Sequence, residues 1–394
     1  MNRMQEPIGG FVFVVCGGRE HIDTLHFSLR ALKRFTVHPI TVVTDSRRNE
    51  VPVVHESVID VPTPEHLDHH QASIWLKTSL HRILPEGLLY CYLDTDVVAL
   101  SSEADQVFEE FVPPVTFAPD HCTLDRFSPR AVKCGCLEEH LMELDIFQQK
   151  AESAGHAKEE YQRLIGEIDF LVESSRSNRL TYLIHRLRFL WPGRFYRLSN
   201  RFMLEKSSGR WFSTEGVDLL DRYGFNENIL RLTGMRWSGS LNDFVRPDGR
   251  PLSELRCAHL HERTMTTLGV RIEEGQWQHW NGGVFLFGAE SAPLMDLWHR
   301  WTMQIFGMPE WRTRDQGTLA ASAWKLGLQH HACLDTRFNF IVDHNSRSQK
   351  YLGDLTFDNG DGQSVRPVLA HVFHHFGDME WEVWAEIERH SRTI

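Results

Sequence analysis

Long apolar runs are missing from this 394-residue chain. No stretch approaches the ~20 consecutive apolar residues needed to span a bilayer. The run at Phe11–Val15 is too short for a signal peptide and has no basic flank. Positive charge is scarce. Lys and Arg number 42 against 53 Asp and Glu, a formal net charge of −11, which disfavours nonspecific nucleic-acid binding. The seven cysteines form no repeated framework, so a disulfide scaffold is not expected and a reducing, cytoplasmic setting is the simplest one. GxGxxG does not occur, which removes the usual mark of a dinucleotide site. What remains, 41% hydrophobic and 24% charged, is ordinary globular material, long enough for a large core and two lobes.

Against that background one stretch stands out, Leu88–Leu100 (LLYCYLDTDVVAL). Its first half lacks polar alternation and reads as a strand buried on both faces, as in a parallel sheet. The strand ends in Asp94-Thr95-Asp96. Two carboxylates at such a place are costly unless something neutralises them. The carboxyl ends of strands are also where open α/β sheets bind ligands. Hard oxygen donors one residue apart suit Mn²⁺ or Mg²⁺ bridging to substrate phosphates. Two solvated aspartates at a strand end are the plainer alternative.

The rest of the pattern is α/β. A strand at Phe11–Cys16 breaks at Gly17-Gly18, a helix follows over Ile22–Phe35, and a strand at Pro39–Val43 ends near Asp45. A helix is expected over Asp68–Leu84, with Ser73, Lys77 and His81 on one face. Val115–Pro119 is a further strand. From 121 to 275 the pattern becomes mainly helical, an insertion between 1–120 and 276–394. Within it Arg176–Arg201 carries seven arginines and no acid, interleaved with aromatics, which suits an anionic acceptor, an anionic membrane surface or the acidic patch of a partner. A helix packing its aromatics and pairing its arginines with acids elsewhere is the alternative. Cys122, Cys134, Cys136, Cys257, His259 and His261 are zinc-ligand types, but their spacing matches no finger, so ordinary thiols are expected. The α/β pattern resumes with a strand at Trp280–Phe287, where Asn281 precedes Gly282-Gly283, and glycines there allow close ligand approach. Helices follow over Ala292–Phe306 and Asp315–Leu326, with Asp315 placed to cap the second. Closing strands are expected at Gln329–Leu334 and Pro367–Phe373, and a terminal helix at Trp381–His390.

Four stretches in order carry a family resemblance. YLDTDVV resembles the DxD motif of metal-dependent glycosyltransferases of the GT-A fold. WNGGVFLF resembles their asparagine-small-glycine strand, RDQG (314–317) their Asp-Gln pair, and HVFHHFG (371–377) the late His-x-x-Gly of the retaining, glycogenin-like branch. The resemblance implies a Rossmann-like, mainly parallel sheet flanked by helices. It implies transfer of a sugar from a nucleotide diphosphate sugar, most simply a UDP-sugar, to an unstated acceptor. It implies Mn²⁺ (or Mg²⁺) held by Asp94, Asp96 and a late histidine. His374 fits best because of its spacing to Gly377; His371 is the alternative because it lies within the strand. Donor contacts are implied for Cys16, Gly17, Asp45, Lys77, Thr95, Asn281, Gly282, Gly283 and Gly377, sugar positioning for Asn281 and Gln316, and binding of a sugar or acceptor hydroxyl for Asp315. Two departures stand out: Lys77 where the family more often has Arg, and Glu380 where it usually has a pyrophosphate-binding Lys. An inverting transferase using Asp315 as base, a nucleotidyltransferase and a non-catalytic nucleotide-sugar-binding protein stay open as alternatives.

Overall fold

A computed structural model describes residues 7–313, 315–343, 350–358 and 364–393. Arg314, of the RDQG stretch, lies outside the described residues. The chain divides into two units, one formed by Met1–Gly135 with Arg256–Ile394, the other by Cys136–Leu255. The inserted unit is therefore narrower than 121–275. The helices Leu124–Ala131 and His259–Leu268 belong to the α/β unit, where Leu124, Phe127, Ala131 and Leu260 enter the sheet's core.

The α/β unit is a six-stranded, mainly parallel sheet flanked by helices. Strands β1 (Ile8–Val15), β2 (Ile40–Thr44), β3 (Val58–Asp60) and β4 (Leu89–Leu93) run parallel in the order β3-β2-β1-β4. Strand β5 (Val97–Ala99) leaves this sheet, and β6 (Val115–Thr123) returns at its edge. Strand β7 (Gln278–Phe287) fills the gap between β4 and β6, antiparallel to both.

The unbroken apolar run of β4 is explained by burial on both faces. Leu89, Cys91 and Leu93 face one core with Ile22, Leu25, Leu29 and Leu32 of helix α1 (Arg19–Lys33). Tyr90 and Tyr92 face the other, beneath helix α2 (His69–Thr78), the long helix α3 (Ala292–Ile305) and helix α4 (Gln316–Lys325). There Tyr92 stacks on Phe285 and Phe285 on Phe117, with ring centroids 4.9 and 4.7 Å apart. Helix α2 starts where expected, its Asp68 and Gln71 forming a reciprocal capping box, but it stops at Ser79 and a short separate turn follows.

Two strand expectations change. Gln329–Leu334 forms no strand, although Leu334 N donates to Phe117 O at 3.0 Å. The late strand exists as β9 (Leu369–His371), but in a separate three-stranded sheet between β8 (Phe340–Ile341) and β5. Its register sets His371 opposite Val97, next to Asp96. This small sheet brings chain segments some 270 residues apart to the end of β4.

The inserted unit is built on the 42-residue helix Cys136–Ser177, the helix Arg179–Leu190, a three-stranded sheet and two further short helices. Its small core gathers Leu164, Ile168, Tyr196, Leu198, Phe202 and Leu219. No described helix is long and apolar enough to cross a membrane.

Candidate active site

The site forms where β4 ends. Asp94, Asp96 and His371 each offer a ligand atom, all within 4.8 Å of one another. His371 Nε2 lies 3.3 Å from Asp96 Oδ1, and its Nδ1 is 2.9 Å from Asn339 Oδ1. Asn339 accepts from Nδ1–H, so Nε2 is the nitrogen turned to Asp96, and loss of the Nε2 proton would free its lone pair for a metal ion. Metal-bound imidazoles are commonly oriented by this kind of outer partner. Burial alone would push the His371 pKa down, but Asp96, with Asp94 and Asp343 behind it, carries it above its ordinary value. Asp96 answers in the opposite direction: burial would raise its pKa, and His371 holds it low.

Lys77 is the cation on the other side. Its side chain is 9% exposed, and its ammonium sits 3.3 Å from Asp94 Oδ1 and 3.4 Å from Asp315 Oδ2, 5.0 Å from the Tyr92 ring centroid. Burial would lower its pKa; Asp94 and then Asp315 outweigh that and raise it. Tyr92 donates its hydroxyl to Asp94 Oδ1, and burial, with Asp94 adding to it, drives the phenol's pKa well up. Lys77 thus meets Asp94 and Asp315, and Asp96 meets His371. When His371 is neutral, the three carboxylates and one ammonium leave two negative charges, which a divalent cation could balance.

The glycines of β7 are explained by contact distances. Between Asn281 and Phe285 the register with β6 slips, bulging Gly282-Gly283 toward the aspartates. Gly283 O accepts from Asp94 N at 2.8 Å. A Cβ on Gly283 would fall 2.5 Å from His371 Cε1 and 2.8 Å from Asn281 Oδ1. On Gly282 it would meet Lys77 Nζ at 3.3 Å. Asn281 holds the bulge, accepting from Gly283 N at 2.7 Å and donating to Asp120 Oδ2 at 3.2 Å.

Asp315 is the residue before helix α4, but its side chain makes no capping bond; it is turned to Lys77. Gln316, the first residue of that helix, sits beside the buried His279. Thr95 accepts at its carbonyl from Ser28 Oγ at 2.7 Å, tying the DTD turn to α1.

Other sequence candidates sit differently. His374 is exposed and lies outside the cluster; its backbone N–H donates to Asp343 Oδ2 and its ring packs on Phe373, with centroids 4.1 Å apart. Spacing favoured it, but the strand ends at His371, so the chain has turned away by residue 374. Gly377, at φ +83°, belongs to that turn, and Glu380 is exposed. Asp45 is fully buried. Arg47 grips both of its oxygens at 3.0 Å, and Thr63 gives it an N–H and a hydroxyl at 2.7 Å. Burial would raise its pKa, yet these bonds hold it far below the carboxylate range. Asp45 therefore fastens the β2 loop and offers no exposed oxygen to a ribose. Cys16 is buried, and Gly17, at φ +118°, packs against His69.

Sequence reasoning missed Tyr92, Asn339 and Asp120. Tyr92 carried a signal, because it lies two residues before Asp94 on the same strand face. Asn339 carried none.

No protein-family profile and no curated protein sequence matches the chain. Solved structures similar to it include the galactosyltransferase LgtC in complex with donor and acceptor sugar analogs, at 10% identity over 97% of this chain and 95% of that one, TM-score 0.38. Mouse xyloside xylosyltransferase 1 matches at 11% identity over 92% and 97%, TM-score 0.37. The bifunctional WbbM matches at 9% over 100% of this chain and 51% of its own, TM-score 0.41. The glycosyltransferase GlyE of Streptococcus pneumoniae TIGR4 matches at 15% identity, and this chain spans only 29% of its length, TM-score 0.21. These are distant likenesses, and the chemistry is drawn from the side chains themselves.

Proposed function

We propose that the protein is a metal-dependent glycosyltransferase of GT-A type. It takes a nucleotide diphosphate sugar, most simply a UDP-sugar, and passes the sugar to a hydroxyl acceptor. The observation that supports this most is the cluster at the end of β4: Asp94, Asp96 and an Asn339-oriented His371, with two carboxylate charges left over after Lys77. Two carboxylates and one imidazole suit Mn²⁺ or Mg²⁺. When bound, such an ion neutralises the leaving diphosphate as a Lewis acid.

In this reading the chain's own residues do the rest. Asp94, Asp96 and His371 would hold the ion, and Tyr92 and Asn339 fix the orientation of two of those ligands. Lys77 balances phosphate charge as a point charge, without the bidentate fork of Arg. Gly282 and Gly283 put no side chain between Lys77 and His371, so the donor sugar can approach Asn281, Asp315 and Gln316. Asp315, paired with Lys77, orients a sugar hydroxyl and needs no proton transfer of its own, which agrees with a retaining outcome. Holding charge where it develops on the leaving group is the main catalytic need of an oxocarbenium-like transition state.

The inserted unit is the proposed source of acceptor choice. On the helix Arg179–Leu190 no residue is buried; Leu183, Leu187 and Leu190 are exposed, as is Trp191 just beyond it. Arg194 and Arg201 pair with Glu205 and Glu167, whereas Arg176, Arg179, Arg186 and Arg188 pair with no acid among the described residues. That composition supports contact with an anionic acceptor or an anionic membrane surface. With none of the seven cysteines in a disulfide, a cytoplasmic location is the reading we adopt. The test is donor-dependent thermal stabilisation across nucleotide sugars, with and without Mn²⁺. A shift that requires both ligands is expected; a shift by donor alone that EDTA does not change would refute the metal role.

A further inference from the structure

A second ligand cluster lies in the α/β unit, and the sugar chemistry does not use it. Cys134, Cys257 and His259 bring two sulfurs and an imidazole nitrogen within 4.8 Å of one another. The first two are 123 residues apart in sequence. Their sulfurs are 3.8 Å apart, well beyond the ~2.05 Å of a disulfide. That matches the separation of two sulfurs across a tetrahedral zinc: Zn–S bonds of about 2.3 Å at the tetrahedral angle place them about 3.8 Å apart. Cys136 follows Cys134 after one glycine, Gly135, whose φ of +87° bends the chain between them. It is the fourth candidate by connectivity. The set is soft, where the cluster at Asp94 is hard.

The surroundings fit a thiolate site. Ser128 is fully buried beneath it; its hydroxyl accepts from Leu260 N at 2.9 Å, so its proton is free to point to Cys257 Sγ, 3.1 Å away. Cys134 and His259 also line a surface cavity of about 210 Å³ with Lys133 and Arg263, which gives an ion a way in. Binding Zn²⁺ releases one proton from each of three thiols and leaves three thiolates, one neutral imidazole and the ion with one net negative charge, beside which those two cations lie.

We propose that Cys134, Cys136, Cys257 and His259 form a structural zinc site. Cys134 precedes the inserted unit and Cys257 follows it, so the metal clasps the two points at which the chain leaves and re-enters the α/β unit. Closing a loop of that length at its base restrains the unfolded chain strongly. Four protein ligands leave no open position, so the site is not catalytic. The expectation of ordinary thiols is revised for this cluster; Cys122 and His261 stand outside it.

The test uses the full chain purified without chelator from zinc-supplemented cells. About one tightly held zinc per chain is expected, released in step with chemical blocking of three cysteines in the wild type. Cobalt-substituted protein should show thiolate-to-cobalt charge-transfer absorption, which the oxygen and nitrogen ligands of the Asp94 cluster cannot give. Cys257→Ser should lose that band. Cys122→Ser should keep it, which separates this site from the Asp120–His121–Cys122 group. Wild-type protein that retains no zinc, releases it without cysteine blocking, or carries a Cys134–Cys257 disulfide would overturn the proposal. So would a charge-transfer band that survives Cys257→Ser. If that variant does not fold, the wild-type release experiment decides alone.

Discussion

Replacing Gly283 with alanine adds one methyl group and should cost the protein its metal affinity. The new Cβ would stand 2.5 Å from His371 Cε1 and 3.0 Å from its Nδ1. Reaching ordinary contact at 3.4 Å requires a retreat of about 0.9 Å at the nearer atom. The ring has little room to make it: His371 is 6% exposed, bonded to Asn339 on one side and facing Asp96 on the other. A displaced imidazole loses either its orienting bond or its aim at the ion, and such losses typically weaken metal binding about 10- to 100-fold. The strain should also lower stability by about 1–3 kcal/mol. Gly282→Ala is the matched control, because its Cβ meets chiefly the far end of Lys77, at 3.3 Å. Mn²⁺ titration by calorimetry or electron paramagnetic resonance, with thermal melts of both variants, makes the comparison. Gly283→Ala that binds Mn²⁺ within about twofold of wild type, with an unchanged melting temperature, would refute the reasoning.

Further outcomes follow from the same geometry. His371→Ala should lose Mn²⁺ binding while His374→Ala keeps it; the reverse pattern in a metal titration would transfer the ligand role to the exposed histidine. Lys77→Met leaves Asp94 and Asp315 facing each other without their cation. It should destabilise the metal-free protein by about 2 kcal/mol, less than a fully buried pair would cost because the Asp94 side chain is 31% exposed. Added Mn²⁺ should restore more of that loss than it gives the wild type, as read in melts with and without the ion. His299, 9% exposed between α2 and α3, bonds Thr78 and Ser79 through Nδ1, and burial, with Arg82 behind it, lowers its pKa to about 4. The unfolded chain takes this proton first, near pH 6.5, so the contribution is full above that value and is lost as pH falls toward 4. The loss is at most about 3 kcal/mol. Urea melts of His299→Gln should show a flatter decline than wild type from pH 7 to 4.5; parallel declines would remove His299 as the cause.

What could be read from the sequence was local. LLYCYL reads as a strand buried on both faces, as it is, and the aspartates after it mark the strand end where the ligand types gather, because both signals lie in adjacent residues. The capping box at Asp68 was equally local. What escaped depended on distant pairing. His371 reaches Asp96 because β9 pairs with β5 in a sheet of its own, and no spacing within HVFHHFG encodes that, so the His-x-x-Gly pattern pointed to His374 instead. Asp45 looked like a ribose contact until Arg47 and Thr63 were found to occupy its oxygens. Asp315 stood in a capping position, yet the buried ammonium of Lys77 is a stronger partner for a carboxylate than a helix end. Cys134 and Cys257 lie far outside any finger spacing, and only the fold makes them neighbours.

The central claim is the reaction itself, and product analysis tests it most directly. The full chain is incubated with a panel of nucleotide diphosphate sugars and Mn²⁺, and the released nucleotide is identified. The account predicts that one donor is consumed with release of nucleoside diphosphate, that EDTA stops it, and that Asp96→Ala abolishes it while the melting profile stays cooperative. Turnover undiminished in EDTA, or release of pyrophosphate in place of nucleoside diphosphate, would contradict it.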